Sequence, residues 1–161
     1  MAVQQLDIVG VRVELPSKQP LVLLKEVDGE RYLPIWIGAV EATAIALAQE
    51  GVTTQRPMTH DLMRDVLLAL SAELTRVTIT DLRDGVFYAN LVFANGVEVS
   101  ARPSDAIALA MRMSVPVFGD ESVLAEASIS VPEEQAAQQE NELEQFRKFL
   151  DEVSPEDFET G

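Results

Sequence analysis

Three short stretches hold the side chains able to do polar chemistry near neutral pH. They are Glu41 in GAVEA (38–42), His60 and Asp61 in THD (59–61), and Arg102, Ser104 and Asp105 in RPSD (102–105). Each falls where an apolar run with helical spacing begins, so each is expected at a helix N-terminus. There the first backbone N–H groups have no partner inside the helix and favour a nearby anion. A phosphate could be held by those N–H groups and Arg102, with Arg56 and Ser104 as further substrate-binding candidates. Glu41 and Asp105, with Asp61 close by, offer the carboxylate oxygens that a hard cation such as Mg²⁺ or Mn²⁺ prefers. His60, the sole histidine, is the side chain whose ordinary pKa lets it move protons at neutrality.

Each residue also has a structural use. Acids in a first helical turn complement the helix dipole, which alone accounts for Asp105 as well as a ligand role does. Ser104 can cap a helix that Pro103 opens. Arg102 can simply pair with Asp105. There is no cysteine, so disulfides, thiolate metal sites and cysteine nucleophiles are excluded. The serines are scattered, and neither a GxGxxG nor a Walker loop occurs, so no organic cofactor is expected.

The elements that must position these residues read as two similar units. DIVGVRVEL (7–15) alternates with period two and predicts a strand; PLVLLKEV and RYLPIWIG follow as two more, joined by an Asp28-Gly29 turn. RYLPIWIG is apolar on both faces (Tyr32, Pro34, Trp36 and Leu33, Ile35, Ile37), which predicts cover on both sides by helices or another subunit. AVEATAIALAQEG then turns helical and stops at Gly51. In the second half, AELTRVTITDL, VFYANLVF and VEVSAR are strands joined by Asp84-Gly85 and Asn95-Gly96 turns, and PSDAIALAMRM is the helix after them. The pentamer AIALA stands at 44–48 and again at 106–110, each time in the helix after a third strand. A duplicated β-β-β-α unit and a convergent helix recipe both explain it. Between the units, Thr59 is expected to cap a helix carrying Leu62, Val66, Leu67 and Leu70. VPVFG reads as a short edge strand, Asp120 as the cap of ESVLAEA, and SISVP as the close of the compact part.

The expected fold class is thus α+β: two β-β-β-α units with largely antiparallel sheet packed by helices, over residues 1–131. Residues 132–161 form an acidic tail whose Leu143, Phe146, Leu150 and Val153 recur at three- and four-residue steps, predicting an amphipathic helix. That stripe would dock on its own domain, a sister subunit or a protein partner. The net charge of −15 is spread over both parts; residues 133–161 hold ten acids and two bases. No basic footprint of the kind phosphate binding needs is present, although Arg56, Arg64, Arg102 and Arg112 could form a local patch. The N-terminus lacks the basic and apolar regions of a signal peptide, and no run approaches the roughly 18 residues of a membrane span. A cytoplasmic protein with no membrane contact is expected.

Four segments, LPIWIGAVEATAIALA (33–48), RPMTHDLM (56–63), ITDLRDGVFYANLV (79–92) and SARPSDAIALAMR (100–112), resemble in order and spacing the bifunctional nuclease (DNase/RNase) domain family. The similarity spans roughly residues 6–130. It implies an α+β fold, often self-associated, and a metal-assisted or acid/base nuclease whose partners are DNA and RNA. Carried onto matching positions, it points to Glu41, His60, Asp61, Arg102 and Asp105 as catalytic, Arg56, Arg102 and Ser104 as substrate-binding, and Glu41 and Asp105 as metal-holding. The family stretch commonly reads D-A-R-P-S-D; here Ser100 replaces the acid, which removes one carboxylate from any metal set. The competing expectation is a non-catalytic homo-oligomeric protein-interaction module, favoured by the negative charge, the doubly apolar strand and the tail.

Overall fold

The computed structural model describes residues 2–130 and residue 144. The chain divides into two compact units, 1–130 and 131–161, and the architecture below is that of the first. The tail stripe Leu143, Phe146, Leu150 and Val153 lies outside the described residues.

Three strands open the chain: β1 (Val3–Glu14), β2 (Gln19–Glu26) and β3 (Arg31–Trp36). Helices α1 (Ala39–Gln49) and α2 (Thr59–Ala69) follow, then β4 (Leu74–Arg83), β5 (Val86–Phe93), β6 (Glu98–Ala101) and α3 (Pro103–Met113). β7 (Val117–Asp120), α4 (Glu121–Ala127) and β8 (Ile129–Ser130) complete the unit. The architecture is α+β. All eight strands form one sheet in the order β6-β5-β4-β7-β1-β2-β3-β8. Every pairing is antiparallel except β4 with β7.

Outward from β7 the order is β1-β2-β3 on one side and β4-β5-β6 on the other. β7 is parallel to β4 and antiparallel to β1, so the two meanders run in opposite senses, related by an in-plane half-turn about β7. The expected edge strand VPVFG is therefore the centre of the sheet. Four residues suffice there because both neighbours are long: Val117 pairs with Leu6 on one side and Val77 on the other.

The two AIALA copies do not occupy equivalent places. Ala44 is the sixth residue after the N-cap Gly38, and Ala106 the fourth after the N-cap Arg102. At 100° per residue, a two-residue offset turns the pentamer to nearly the opposite face. In α3 all five residues are buried; in α1 only Ala44 and Ile45 are. The topology repeats, while the shared letters fall out of register with it.

One face of the sheet carries the core. Val22, Leu24, Leu33 and Ile35 pack with Ile45 of α1, Ile107 and Leu109 of α3, and Val123 and Leu124 of α4. At Gly10 a bulge bends β1 (φ +149°) and lets the Gln49 amide close over the backbone, Nε2 donating to the Val9 carbonyl at 2.8 Å. A β-carbon at Gly10 would stand 3.0 Å from Gln49 Oε1, so this glycine seats the end of α1 against β1. The opposite face of β3 is not fully covered: Tyr32 and Pro34 are half-buried and Trp36 is 48% exposed.

Local capping differs from expectation at one site. Thr59 is the first helical residue of α2, and the N-cap is Met58, whose backbone N–H donates to Asp61 Oδ2 at 3.1 Å. Asp120 caps α4 as expected, accepting from the Ser122 N–H at 2.9 Å.

Candidate functional site

The N-termini of α1, α2 and α3 bring four of the expected residues into one connected chain. Arg102 is the N-cap of α3, extended at φ −69° and ψ 144° because Pro103 follows it. From that corner its Nε donates to Asp105 Oδ2 at 2.8 Å, and its Nη1 lies 3.0 Å from Glu41 Oε1 in the first turn of α1. Asp105 Oδ1 lies 2.9 Å from His60 Nε2, in the first turn of α2. Glu41, Arg102, Asp105 and His60 thus link three helices through consecutive contacts.

Their exposures differ. The His60 side chain is 10% exposed, Glu41 18%, Asp105 27% and Arg102 64%. Burial pushes the Asp105 carboxyl up, but hydrogen bonds from Arg102 and His60 outweigh it and hold the group below its usual range. The hydrogen bond to Asp105, followed by that to Glu41, raises the Arg102 guanidinium above its ordinary value. An ionised Asp105 can only accept, so His60 Nε2 must carry the proton in this contact. That leaves Nδ1 as the basic atom of the ring. Among the described residues no fully buried side-chain nitrogen or oxygen lacks a hydrogen-bond partner.

Gly38, the N-cap of α1, has no side chain to compete for this corner. A β-carbon there would collide with Glu41 Oε2, so the absence of one lets the Glu41 carboxylate fold back over its helix end.

Asp61 belongs to a second network. Its Oδ1 accepts from Arg112 Nε at 2.7 Å, while Arg112 Nη1 and Nη2 donate to the carbonyls of Ala108 and Ala44 at 2.9 and 3.0 Å. The Arg112 side chain is 6% exposed. Burial raises the Asp61 carboxyl, and the Arg112 and Met58 hydrogen bonds more than reverse that, leaving it lowered. With all these partners the pair ties α2 to α1 and α3. Ser104 is buried at 6% exposure just beside Arg102. Arg56 is exposed in the loop before α2, its carbonyl accepting from Thr54 Oγ1 at 2.6 Å. Ser100 is exposed in β6.

The expected divalent cation does not fit this donor set. Glu41 and Asp105 each give an oxygen to Arg102, so the guanidinium already occupies the space between them. Among the described residues no three His, Cys, Asp or Glu side chains gather as metal ligands.

Beside Arg102 lies a cleft of about 440 Å³, lined by Trp36, Ile37 and Gly38 at the end of β3, Val86 and Phe87 of β5, and Arg102, Pro103 and Ser104. Arg102 and Ser104 stand out in the sequence; the aromatic wall does not. An exposed tryptophan on a strand that ends at a glycine helix cap was the available signal. Arg112 was also missed as the partner of Asp61, because its other acceptors are backbone carbonyls and carry no residue signature.

Comparison with known proteins adds family to geometry. A bifunctional nuclease domain model matches residues 22–132, a span containing all four members of the linked chain. Two proteins of Mycobacterium tuberculosis, one from strain CDC 1551 / Oshkosh and one from strain ATCC 25618 / H37Rv, are each 52% identical over 159 residues, covering 96% of this chain and 97% of theirs. Both are described as uncharacterized proteins. No helix among the described residues is long and apolar enough to cross a membrane. The match covers more than half of the chain and the whole of the linked corner, and the chain belongs to the bifunctional nuclease domain family.

Proposed function

We propose that this protein cleaves phosphodiester bonds of DNA and RNA at the Glu41–Arg102–Asp105–His60 chain. The supporting observation is that continuous contact from an exposed guanidinium, through an ionised carboxylate, to a histidine bonded through Nε2, which leaves Nδ1 as its basic nitrogen. Phosphodiester hydrolysis needs a deprotonated nucleophile, a cation near the phosphorane and a proton for the leaving oxygen. His60 Nδ1 takes the proton from water or a ribose 2′-hydroxyl as that oxygen attacks phosphorus. Asp105 holds the ring and stabilises the imidazolium that results. Arg102 faces the phosphate with its guanidinium, whose fork suits two oxygens. Glu41 positions Arg102. The imidazolium then returns its proton to the departing oxygen. Acid–base assistance of this kind contributes about 10²–10⁴-fold. No step runs through a metal ion; Mg²⁺ or Mn²⁺, expected from the resemblance, would have to displace Arg102 from Glu41 and Asp105.

The test is turnover of end-labelled single-stranded RNA and DNA by the purified chain, with and without EDTA. The proposal expects cleavage that survives chelation and drops at least 100-fold in His60→Ala. Cleavage abolished by EDTA would restore the metal and remove Arg102 from its assigned place. No cleavage of either polymer would end the nuclease reading.

A second reading, a homo-oligomeric interaction module, is favoured by α2. That helix buries only His60, while Leu62, Val66, Leu68 and Leu70 are 53%, 46%, 60% and 74% exposed. A stripe of that kind serves subunit or partner contact. Sedimentation of the chain against a Leu62→Glu/Val66→Glu variant decides it: a change in mass supports the module, and the same mass for both removes it.

A further inference from the structure

The cleft beside Arg102 has two chemically different kinds of lining. The polar lining includes Arg102 and the N-caps of two eleven-residue helices, Gly38 and Arg102, neither closed by a side-chain hydrogen bond. The apolar lining includes Trp36, Ile37, Val86, Phe87 and Pro103. Trp36 is 48% exposed and Val86 54%, whereas Phe87 is half-buried against the core. The indole thus offers an open aromatic face in the same cleft as a guanidinium, a platform on which a flat ring can stack. The volume, about 440 Å³, lies in the range of roughly 300–1,000 Å³ typical of small-ligand sites.

We infer that this cleft is a nucleobase subsite, in which Trp36 stacks on the base adjacent to the phosphate that Arg102 faces, so that the protein takes single strands. The inference rests on the nuclease reading for the identity of that phosphate. It explains how a chain of net charge −15 can hold a polyanion. Arg102 is itself bonded to two carboxylates, so Coulomb attraction to the backbone is weak. Affinity must then come from an uncharged source, and stacking is the one on offer: every base has a π-face, and a single aromatic platform is worth about tenfold or more in binding. A base inside a duplex is already stacked on its neighbours and does not enter the cleft without unpairing. With a single guanidinium at the cleft, binding to a single strand should depend only weakly on salt, log K falling with log salt at a slope near −1.

Trp36 is the only tryptophan, so its fluorescence reports on the cleft directly. The experiment titrates the full-length chain with a short oligodeoxythymidylate, with an abasic strand of the same phosphate count, and with a duplex containing the same strand. Labelled-strand anisotropy follows Trp36→Ala and Trp36→Phe, with circular dichroism checking that each variant is folded. The inference predicts quenching by the oligodeoxythymidylate, with weaker binding of the duplex and the abasic strand. It predicts about tenfold weaker binding in Trp36→Ala and near-complete rescue in Trp36→Phe. Equal binding of the abasic strand, equal binding by Trp36→Ala and the wild-type chain, or no binding of any strand overturns it. The two readings fail separately. Quenching without cleavage sinks the nuclease and leaves the base subsite. Cleavage undiminished in a folded Trp36→Ala sinks the subsite and leaves the nuclease.

Discussion

Two arginines of one helix sit in networks of similar composition and opposite character. Arg112, near the end of α3, reaches an acid on α2 and a carbonyl on α1; Arg102, at the start of α3, reaches an acid on α1 and, through Asp105, the histidine on α2. Both join the same three helices. The difference is water: the Arg112 side chain is 6% exposed and that of Arg102 64%. A guanidinium sealed among an acid and two carbonyls is kept from any ligand by its burial. One that bonds two carboxylates from the rim still presents its outer edge to a substrate. His60 and Asp61, adjacent in sequence, fall on opposite sides of that divide. The carboxylate of Asp61 is a tie between helices, while His60 belongs to the solvent-facing network.

The largest effect should come from breaking the sealed network. Arg112→Met leaves Asp61 and two carbonyls without their partner, and removing one member of a buried ion pair costs about 3–5 kcal/mol. Urea unfolding of the variant should show that loss; a change under about 1 kcal/mol would mean that the pair is not a structural tie. Next comes Leu109→Ala, fully buried in α3, expected to cost about 2–5 kcal/mol by the same measurement. The matching change at Leu47, half-buried in the other AIALA copy, should cost less, and equal losses would contradict the register offset between the two helices.

Acid sharpens the comparison further. Asp61 and Asp105 both titrate below their ordinary range when folded. Each therefore contributes stability that is complete above the unfolded carboxyl pKa near about 4 and is lost as pH falls through the lower folded value. The urea midpoint should drop progressively below about pH 4, and Asp61→Asn should flatten that decline. A midpoint indifferent to pH in this window would contradict both assignments. The smallest stability effect belongs to Arg102→Gln, expected within about 1 kcal/mol because its pairs lie at the surface. A loss as large as that of Arg112→Met would make Arg102 a structural arginine too.

Much of this arrangement was legible in the residues. Asp84 and Gly85 both adopt positive φ, 50° and 78°, as an Asp-Gly hairpin turn requires. Pro103 opens α3, and Asp120 caps α4. These are local signals, written by residues that touch one another along the chain. The central place of β7 was not legible, since four residues, VFGD, carry no information about partners 40 and more positions away, as Val77 is from Val117. The pairing of Asp61 with Arg112 was hidden for the same reason, 51 positions separating the partners. At the site, residue type and helix-start position were enough to gather Glu41, His60, Arg102 and Asp105. They could not show that Arg102 stands between the two carboxylates assigned to a cation, nor that Trp36 and Phe87 line one cleft with it.

The most direct test of the central claim is the rate of single-strand cleavage in Asp105→Asn set against Asp61→Asn, both checked for folding at the assay temperature. Asp105→Asn removes the charge that orients and stabilises the His60 imidazolium and should lower the rate about 100-fold or more, while a folded Asp61→Asn should stay within a few-fold of the wild-type chain. Equal rates in the wild-type chain and Asp105→Asn, or a loss confined to Asp61→Asn, would contradict a catalytic centre on the exposed network.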